Sequence, residues 1–391
     1  MVQTEFGAAD LFHGRVDDAR EFWRARRWEM VAVVSHGGSV PSLDRVGVET
    51  VDLSAWQSAP TVSVVLPTLN ERGFLRDCLD SLAAQDYSQI VEILVVDGGS
   101  TDGTTELAER VGGLVRVLPN PKMSAAAALN VGWRAADGDI IVRADAHALY
   151  ARDYVRRCVE VLVETGADNA GGAMRAVGTT VFGRAVAAVT SSPFGVGPGR
   201  FHYSQVREDV DTVYLGCYRR TTLAALDGWD EDSLQWAAED HELNFRLTRR
   251  GGRIVLDPEI RSWYFPRDSR RGLVRQYRNY GIGKVSTLVK HRTLPSWRPL
   301  VPPTMVAVCL GAIVAGAATR RPIVGAMPVS LYALGIAGAA ARVAREPEVS
   351  YPHAVVAMTT CHWAYGIGVW EGVRRVLARS GFDSRPRGGR R

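Results

Sequence analysis

The first clear pattern of apolar and polar positions begins at Thr61, where the run TVSVVLP gives way to the polar cluster Thr68-Leu69-Asn70-Glu71. A second run, VEILVVD, ends in the same manner at Asp97-Gly98-Gly99-Ser100. Both runs are short, β-branched and apolar at nearly every position, as expected of parallel strands buried on two faces. Between them Phe74, Leu75, Cys78, Leu79 and Leu82 fall at helical spacing, which predicts a crossover helix over 73–84. In open parallel sheets the ligand crevice lies outside the carboxyl ends of the strands, so the two polar clusters should face one cavity. A third strand is expected over 114–118, followed by Asn120-Pro121-Lys122 and an Ala-rich helix, SAAAALNVGWRAA. DIIVRADAHALY reads as another strand with Asp145-Ala146-His147 at its carboxyl end, and positions 145 and 147 of an extended strand share a face. Residues 210–219 form a further strand leading to a helix, TTLAALDG. Glu239-Asp240 open an amphipathic helix backed by Leu243, Phe245 and Leu247. An acidic first turn also suits the helix dipole.

The flanking stretches have a different character. Within residues 1–59 a helix is expected over 16–27, with strand-like runs EMVAVVSH and GVETVDL after it, and Trp23, Trp28 and Trp56 read as core or interface anchors. Residues 174–199 are rich in small residues, with glycines at 183, 195, 197 and 199, which predicts a flexible loop. The segment RDSRRGLVRQYRNYGIGK, 267–284, reads as a juxtamembrane amphipathic helix with Tyr277 and Tyr280 at the lipid interface. Three apolar runs follow, over 300–319, 323–341 and 353–370. The first two carry no charge and approach the ~20 residues that span a bilayer as helix. The third contains His353 and His362, which suit an interfacial or re-entrant position. The tail 371–391 holds seven arginines and two acids, so the positive-inside bias favours an even number of crossings and a cytoplasmic tail.

With 391 residues, 46% hydrophobic and 23% charged, the chain can bury a full core, and one large domain plus something smaller is expected. Its net charge of +5 sits on basic residues that crowd the last third beside apolar runs, which points to a membrane surface rather than nucleic acid. Cysteines 78, 158, 217, 309 and 361 are odd in number and widely spaced, so they read as reduced and structural. MVQTEFGAADLF lacks the basic start and apolar core of a signal peptide, and a catalytic domain on the cytoplasmic side of the membrane follows. The expected division is an N-terminal extension (1–59), a catalytic domain (60–266), a juxtamembrane segment (267–299), a membrane region (300–370) and a basic tail (371–391).

The ordered motifs VSVVLPTLNE, VVDGGSTDGT, Asp145-Ala146-His147 and Glu239-Asp240 resemble those of the family 2 glycosyltransferases over about 61–286. SPFGVGPGRFHY, EDHELNFRL and RQYRNYG resemble the bacterial exopolysaccharide enzymes of the succinoglycan glucosyltransferase type. The resemblance implies a GT-A fold, an α/β Rossmann-like mixed sheet flanked by helices, here followed by C-terminal transmembrane helices. It implies that Pro67, Thr68, Asn70, Glu71, Asp97, Gly98, Gly99, Ser100 and Asp102 surround a nucleotide-sugar donor and that Asn130 lies near its diphosphate. Gln276, Arg278 and Tyr280 resemble the Gln-x-x-Arg region of membrane glycosyltransferases, which gives Arg278 a donor contact. Asp145 and His147 stand where the family has Asp-x-Asp, implying a divalent cation, Mg²⁺ or Mn²⁺. Asp240 matches the general base and Glu239 its neighbour. The activity implied is inverting transfer from a nucleotide sugar, a UDP-sugar by resemblance, to a lipid-linked or envelope glycan. A processive polysaccharide synthase and a catalytically silent nucleotide-sugar-binding scaffold are the alternatives.

Overall fold

The computed structural model describes residues 59–197, 199–231, 239–293 and 297–383. The helix and strands expected before Ala59, with their three tryptophans, lie outside the described residues. The frame is an eight-stranded mixed sheet in the order β3-β2-β1-β4-β9-β6-β10-β8. Its strands are β1 (Val62–Thr68), β2 (Ile90–Asp97), β3 (Val115–Pro119), β4 (Ile140–Arg143), β6 (Asn169–Gly172), β8 (Glu208–Asp209), β9 (Tyr214–Arg219) and β10 (Ile254–Leu256). β1 pairs in parallel with β2 and β4, and Thr68 stands opposite Asp97, so the two strand-end clusters emerge side by side. β9 runs antiparallel between β4 and β6.

Alternation along β1 and β2 sends Val62, Val64, Leu66, Ile93 and Val95 to one core and Val65, Leu94 and Val96 to the other. α1 (Arg72–Ala83) covers the first face with Leu75, Cys78, Leu79 and Leu82, all fully or almost fully buried. Each such leucine contributes roughly 1.5–3 kcal/mol of burial. α2 (Thr104–Val111) follows β2, and α3 (Ala125–Ala135) covers the second face. The alanines of α3 let it lie close on the sheet, and a Cβ at its Gly132 would meet Val65 Cγ1 at 2.3 Å. α4 (Tyr154–Thr165) completes the first core.

The chain from β4 does not continue as one strand. It turns at Ala146-His147 and enters β5 (Ala148–Tyr150), which joins β11 (Ser262–Tyr264) and β7 (Met174–Ala176) in a separate three-stranded sheet. Asp145 and His147 therefore flank a turn, closed by the Ala148 amide on the Asp145 carbonyl, rather than sharing a strand face.

The stretch expected to be a flexible loop is largely helical. It contains α5 (Val181–Thr190) and α6 (Pro193–Val196), each capped by a hydroxyl, Thr180 and Ser192 respectively. Its small residues serve close packing: a Cβ on Gly195 would meet the Val189 carbonyl at 2.1 Å. After β9 come α7 (Arg220–Leu226) and α8 (Glu239–Arg249).

α9 (Arg270–His291) corrects a further expectation. Its buried residues, including Leu273, Tyr277, Ile282, Val285 and Thr287, point to several sides of the helix, so Tyr277 faces protein instead of lipid, while Val274 and Tyr280 remain exposed. Tyr277 packs among Val186, Val189, Met358 and Cys361. α10 (Val301–Ala318) and α11 (Pro322–Val343) form a hairpin, and α12 (Tyr351–Asp383) runs back along α9. Among the described residues, two helices are long and apolar enough to cross a membrane, Arg298–Ala318 and Pro322–Val343, and only 22% and 17% of their apolar stretches are buried inside the protein. All five cysteines are free and buried, as their spacing implied.

Candidate active site

The strand-end clusters are tied to each other before they can be tied to a ligand. Asp97 accepts from the Thr68 hydroxyl and from the Gly99 and Ser100 amides, at 3.0, 2.9 and 2.8 Å. Burial works to raise its pKa, and the hydrogen bonds from Ser100 and Thr68 overcome that and hold the carboxyl below its ordinary value. Gly99 sits at φ 84°, where a side chain is disfavoured. Asn70, at φ 56°, accepts from the Thr101 amide, while its own amide N–H donates to Ser100 Oγ. Asp102 accepts from the amides of Arg72 and Thr104. Asn70, Glu71 and Asp102 still line the large cleft; Pro67, Thr68, Asp97, Gly98, Gly99 and Ser100 do not. Those six build the turn next to it, with Gly99 exposed and Ser100 half-buried.

Two other expected donor contacts are committed elsewhere. Asn130 is buried, its amide donating to Trp229 O and Glu231 Oε1 and its carbonyl accepting from the Trp229 amide and Trp133 Nε1. This saturated side chain fixes the Gly228-Trp229 turn rather than facing a diphosphate. Gly228 has φ 67° and would place a Cβ 2.2 Å from Asn130 Oδ1, so the turn requires glycine. Arg278 makes a bidentate pair with Glu371 of α12, at 2.6 and 2.7 Å, and does not line the cleft. Its neighbour Gln276 does, donating to the hydroxyls of Tyr264 and Tyr280.

The acidic residues converge on an arginine that the motif reading passed over. Arg143, the last residue of β4, is 8% exposed and lies 3.3 Å from Asp145 and 3.1 Å from Glu239, with Asp240 in contact. One planar guanidinium thus joins both motifs. Burial alone would lower its pKa, but the surrounding carboxylates raise it well above normal. A signal was present in the sequence: Arg143 ends the apolar strand two residues before Asp145, the spacing that brings neighbouring side chains to one region. Asp240 also accepts from Trp229 Nε1 at 2.9 Å, so the Asn130-held turn positions it. Burial pushes the Glu239 carboxyl up, with Arg143 opposing.

His147 Nδ1 is 3.2 Å from Glu71 Oε1, and its ring meets Tyr264 edge-on. Burial would lower the pKa of its imidazole; the Glu71 carboxylate outweighs this and raises it. On the far side of Asp240, the Lys284 ammonium donates to His241 Nε2 at 2.8 Å. Burial, aided by Lys284, brings His241 down to about 4, and burial brings Lys284 down to about 8.

The donor set suits a divalent cation that shares its ligands with substrate. Among the described residues, no group of three or more His, Cys, Asp or Glu is arranged so that it could by itself hold a metal ion. Asp145 and His147 would be the protein ligands, with the remaining positions left to phosphate oxygens and water, as hard cations at nucleotide sites commonly have. The Glu71 carboxylate against His147 Nδ1 would then serve as the outer support that orients the imidazole.

The solved mannosyltransferase PcManGT from Pyrobaculum calidifontis, in complex with GDP-Man and Mn²⁺, aligns with TM-score 0.55 and 20% identity over 90% of this chain and 95% of that one. The fold is thus of the GT-A class. The family model for glycosyl transferase family 2 matches residues 63–217. The succinoglycan biosynthesis protein ExoA of Rhizobium meliloti (strain 1021) is 32% identical over 313 residues, 78% of this chain and 93% of the relative. A dolichyl N-acetyl-alpha-D-glucosaminyl phosphate 3-beta-D-2,3-diacetamido-2,3-dideoxy-beta-D-glucuronosyltransferase from Methanococcus voltae is 26% identical over 235 residues, covering 57% and 72%. This chain belongs to glycosyltransferase family 2, and it is a glycosyltransferase.

Proposed function

We propose that the protein is a membrane-anchored, inverting transferase that moves a sugar from a nucleotide-sugar donor, a UDP-sugar by family resemblance, to a glycan acceptor carried on a lipid. The observation that carries this reading is the position of Asp240 in the cleft, held by Trp229 and Arg143 beside Asp145. The acceptor hydroxyl oxygen attacks the anomeric carbon, and the bond from that carbon to the nucleoside diphosphate breaks with its electron pair leaving on the phosphate. Asp240 takes the hydroxyl proton. A single displacement from the face opposite the leaving group inverts the anomeric configuration. Arg143 keeps Asp240 and Asp145 in fixed relation and balances their charge while the cleft is empty of substrate. A divalent cation held by Asp145 and His147 would supply charge neutralisation at the diphosphate.

The lipid-borne acceptor is supported by the name of the Methanococcus voltae relative, which includes a dolichyl phosphate, and by the apolar hairpin of α10 and α11. The same hairpin supports membrane anchoring, and the seven arginines of residues 371–391 favour a cytoplasmic side for the tail and, with two crossings, for the catalytic domain. A processive synthase would need more helices to enclose a channel than the two long apolar ones among the described residues.

The test is to incubate detergent-purified protein with a panel of radiolabelled nucleotide sugars and a membrane lipid extract, with and without chelator. Label from one donor is expected in the lipid phase, lost on chelation. Label that reaches only water, or no product at all from any donor, would overturn the reading.

A further inference from the structure

The cleft around Asp145 and Asp240 does not stop at the catalytic domain. The same continuous cavity is lined by Phe194 of α6, Met305 of α10, Ile336 of α11, and Met358 and Tyr365 of α12. Its volume is about 3310 Å³. Pockets for small molecules and cofactors occupy ~300–1,000 Å³, so a nucleotide sugar leaves most of this space for something else. The lining from these helices is largely apolar, with Tyr332 and His362 among it, and the outer faces of α10 and α11 carry exposed Val308, Leu310, Ile313, Leu331 and Leu334.

The middle of the cleft is basic. Arg267 precedes α9, and Arg270, Arg271 and Arg275 lie on its first turns; all four are exposed and line the cavity. Among the described residues, none of them forms an ion pair with a carboxylate. Unpaired arginines clustered beside a cavity attract an anion with several oxygens. Carboxylates with Arg143, a set of arginines and an apolar lining in one cavity match the chemical profile of one amphiphile: a hydroxyl to be glycosylated, a phosphate and a hydrocarbon chain.

We propose that the branch between α6, α10, α11 and α12 is the seat of the acceptor's hydrocarbon chain, so that a lipid phosphate or diphosphate enters laterally from the membrane with its head toward Asp240. This rests on the lipid-borne acceptor proposed above and adds where the lipid sits. Gly335 supplies a way to block the branch without disturbing packing, because it lines the cavity and a Cβ built there meets nothing within 4 Å. Gly338, on the same helix, is equally open and does not line the cavity.

The full chain in nanodiscs is irradiated with a C15 isoprenyl diphosphate bearing a terminal benzophenone, and the crosslinked peptides are mapped. Adducts are expected on the peptides of Ile336, Met358 and Tyr365, displaced by a C55 isoprenyl phosphate and not by inorganic diphosphate. Gly335→Trp should reduce these adducts at least tenfold; Gly338→Trp should not. Once an acceptor sugar is known, Gly335→Trp should also lower the ratio of kcat/KM for C55-borne over C10-borne acceptor by at least tenfold. Adducts confined to the outer faces of α10 and α11, adducts indifferent to Gly335→Trp, or no adducts at all would overturn the groove. If lipid transfer proceeds in the radiolabel assay while the crosslink fails, the groove is wrong and the function stands. If neither is seen, both fall.

Discussion

Arg143 shows how one side chain can join two motifs that lie far apart in sequence. Its partners Asp145 and Glu239 are 19% and 15% exposed at their side chains, so the electrostatics are those of a partly desolvated cluster rather than a surface pair. Arg143→Met leaves three acids facing one another without a counter-charge. Removing one partner of such a buried network costs about 3–5 kcal/mol, and thermal unfolding in detergent should show it. Adding Glu239→Gln should recover part of the loss; a melting temperature unchanged in Arg143→Met would refute the bridging role. Asp240→Asn keeps shape and removes the base. It should cut turnover by about 10²–10⁴-fold with nucleotide affinity within a few fold, and turnover near wild type would remove Asp240 from the mechanism.

A pH effect belongs to the same neighbourhood. His241 faces Lys284 from α9 and Glu242 from its own helix, and burial brings its folded pKa to about 4. In the unfolded chain it titrates near ~6.5. A base with a depressed folded pKa is more readily protonated when unfolded, so the folded state loses stability as pH falls from 6.5 toward 4. His241→Asn should flatten the melting temperature over that window relative to wild type. An unchanged acid slope would show that other groups set it.

At the scale of elements, the joint between catalytic domain and membrane region is a crossing of glycines. A Cβ on Gly368 of α12 would lie 2.2 Å from the Arg278 carbonyl, and a Cβ on Gly281 of α9 would lie 2.3 Å from the Tyr365 carbonyl. Gly368 and Gly372 are spaced as in small-xxx-small helix contacts. The pairing of Arg278 with Glu371 flanks this crossing, which accounts for an arginine that does not reach the cleft. Gly368→Leu collides with backbone and cannot be relieved by a rotamer change. It should cost at least about 1–3 kcal/mol and open α12 to limited proteolysis. Proteolysis at the wild-type rate would argue that the two helices are not packed this way in solution.

For the whole molecule, the packing of α12 bears on topology. Its first half packs against α5 and α11 and its second half against α9 and the start of α10, where Trp370 Nε1 donates to the Pro303 carbonyl, so α12 is held by the catalytic domain as well as by the hairpin. α10 is 18 residues long, about 27 Å as helix, which nearly matches the ~30 Å hydrocarbon core, and α11 returns across the same distance. If the hairpin crosses twice, Ser350 is expected on the side of the catalytic domain and Arg320 at the far tip. In a variant without native cysteines, an impermeant thiol reagent on intact cells should label Arg320→Cys and spare Ser350→Cys and Ser384→Cys. Labelling of Ser384→Cys without permeabilisation would refute the arrangement.

The sequence by itself determined the strands of the nucleotide-binding half, the crossover helix, the family and the two long apolar helices. Each rests on interactions local in the chain: period-two or helical burial, turn residues at strand ends, a run of uncharged residues. Tertiary structure decided the rest, because it depends on which distant groups meet. The Ala-rich helix was legible, yet Asn130 turned out to serve the Trp229 turn; helical spacing shows neither a side chain's partner nor its saturation. The glycines of 174–199 suggested looseness, since composition cannot separate a residue that permits flexibility from one that permits close packing. His147 was placed by assuming strand where the chain turns, a choice set by pairing with β11. Arg143 was visible two residues before Asp145, but its role existed only once α8 brought Glu239 and Asp240 across the sheet to meet it.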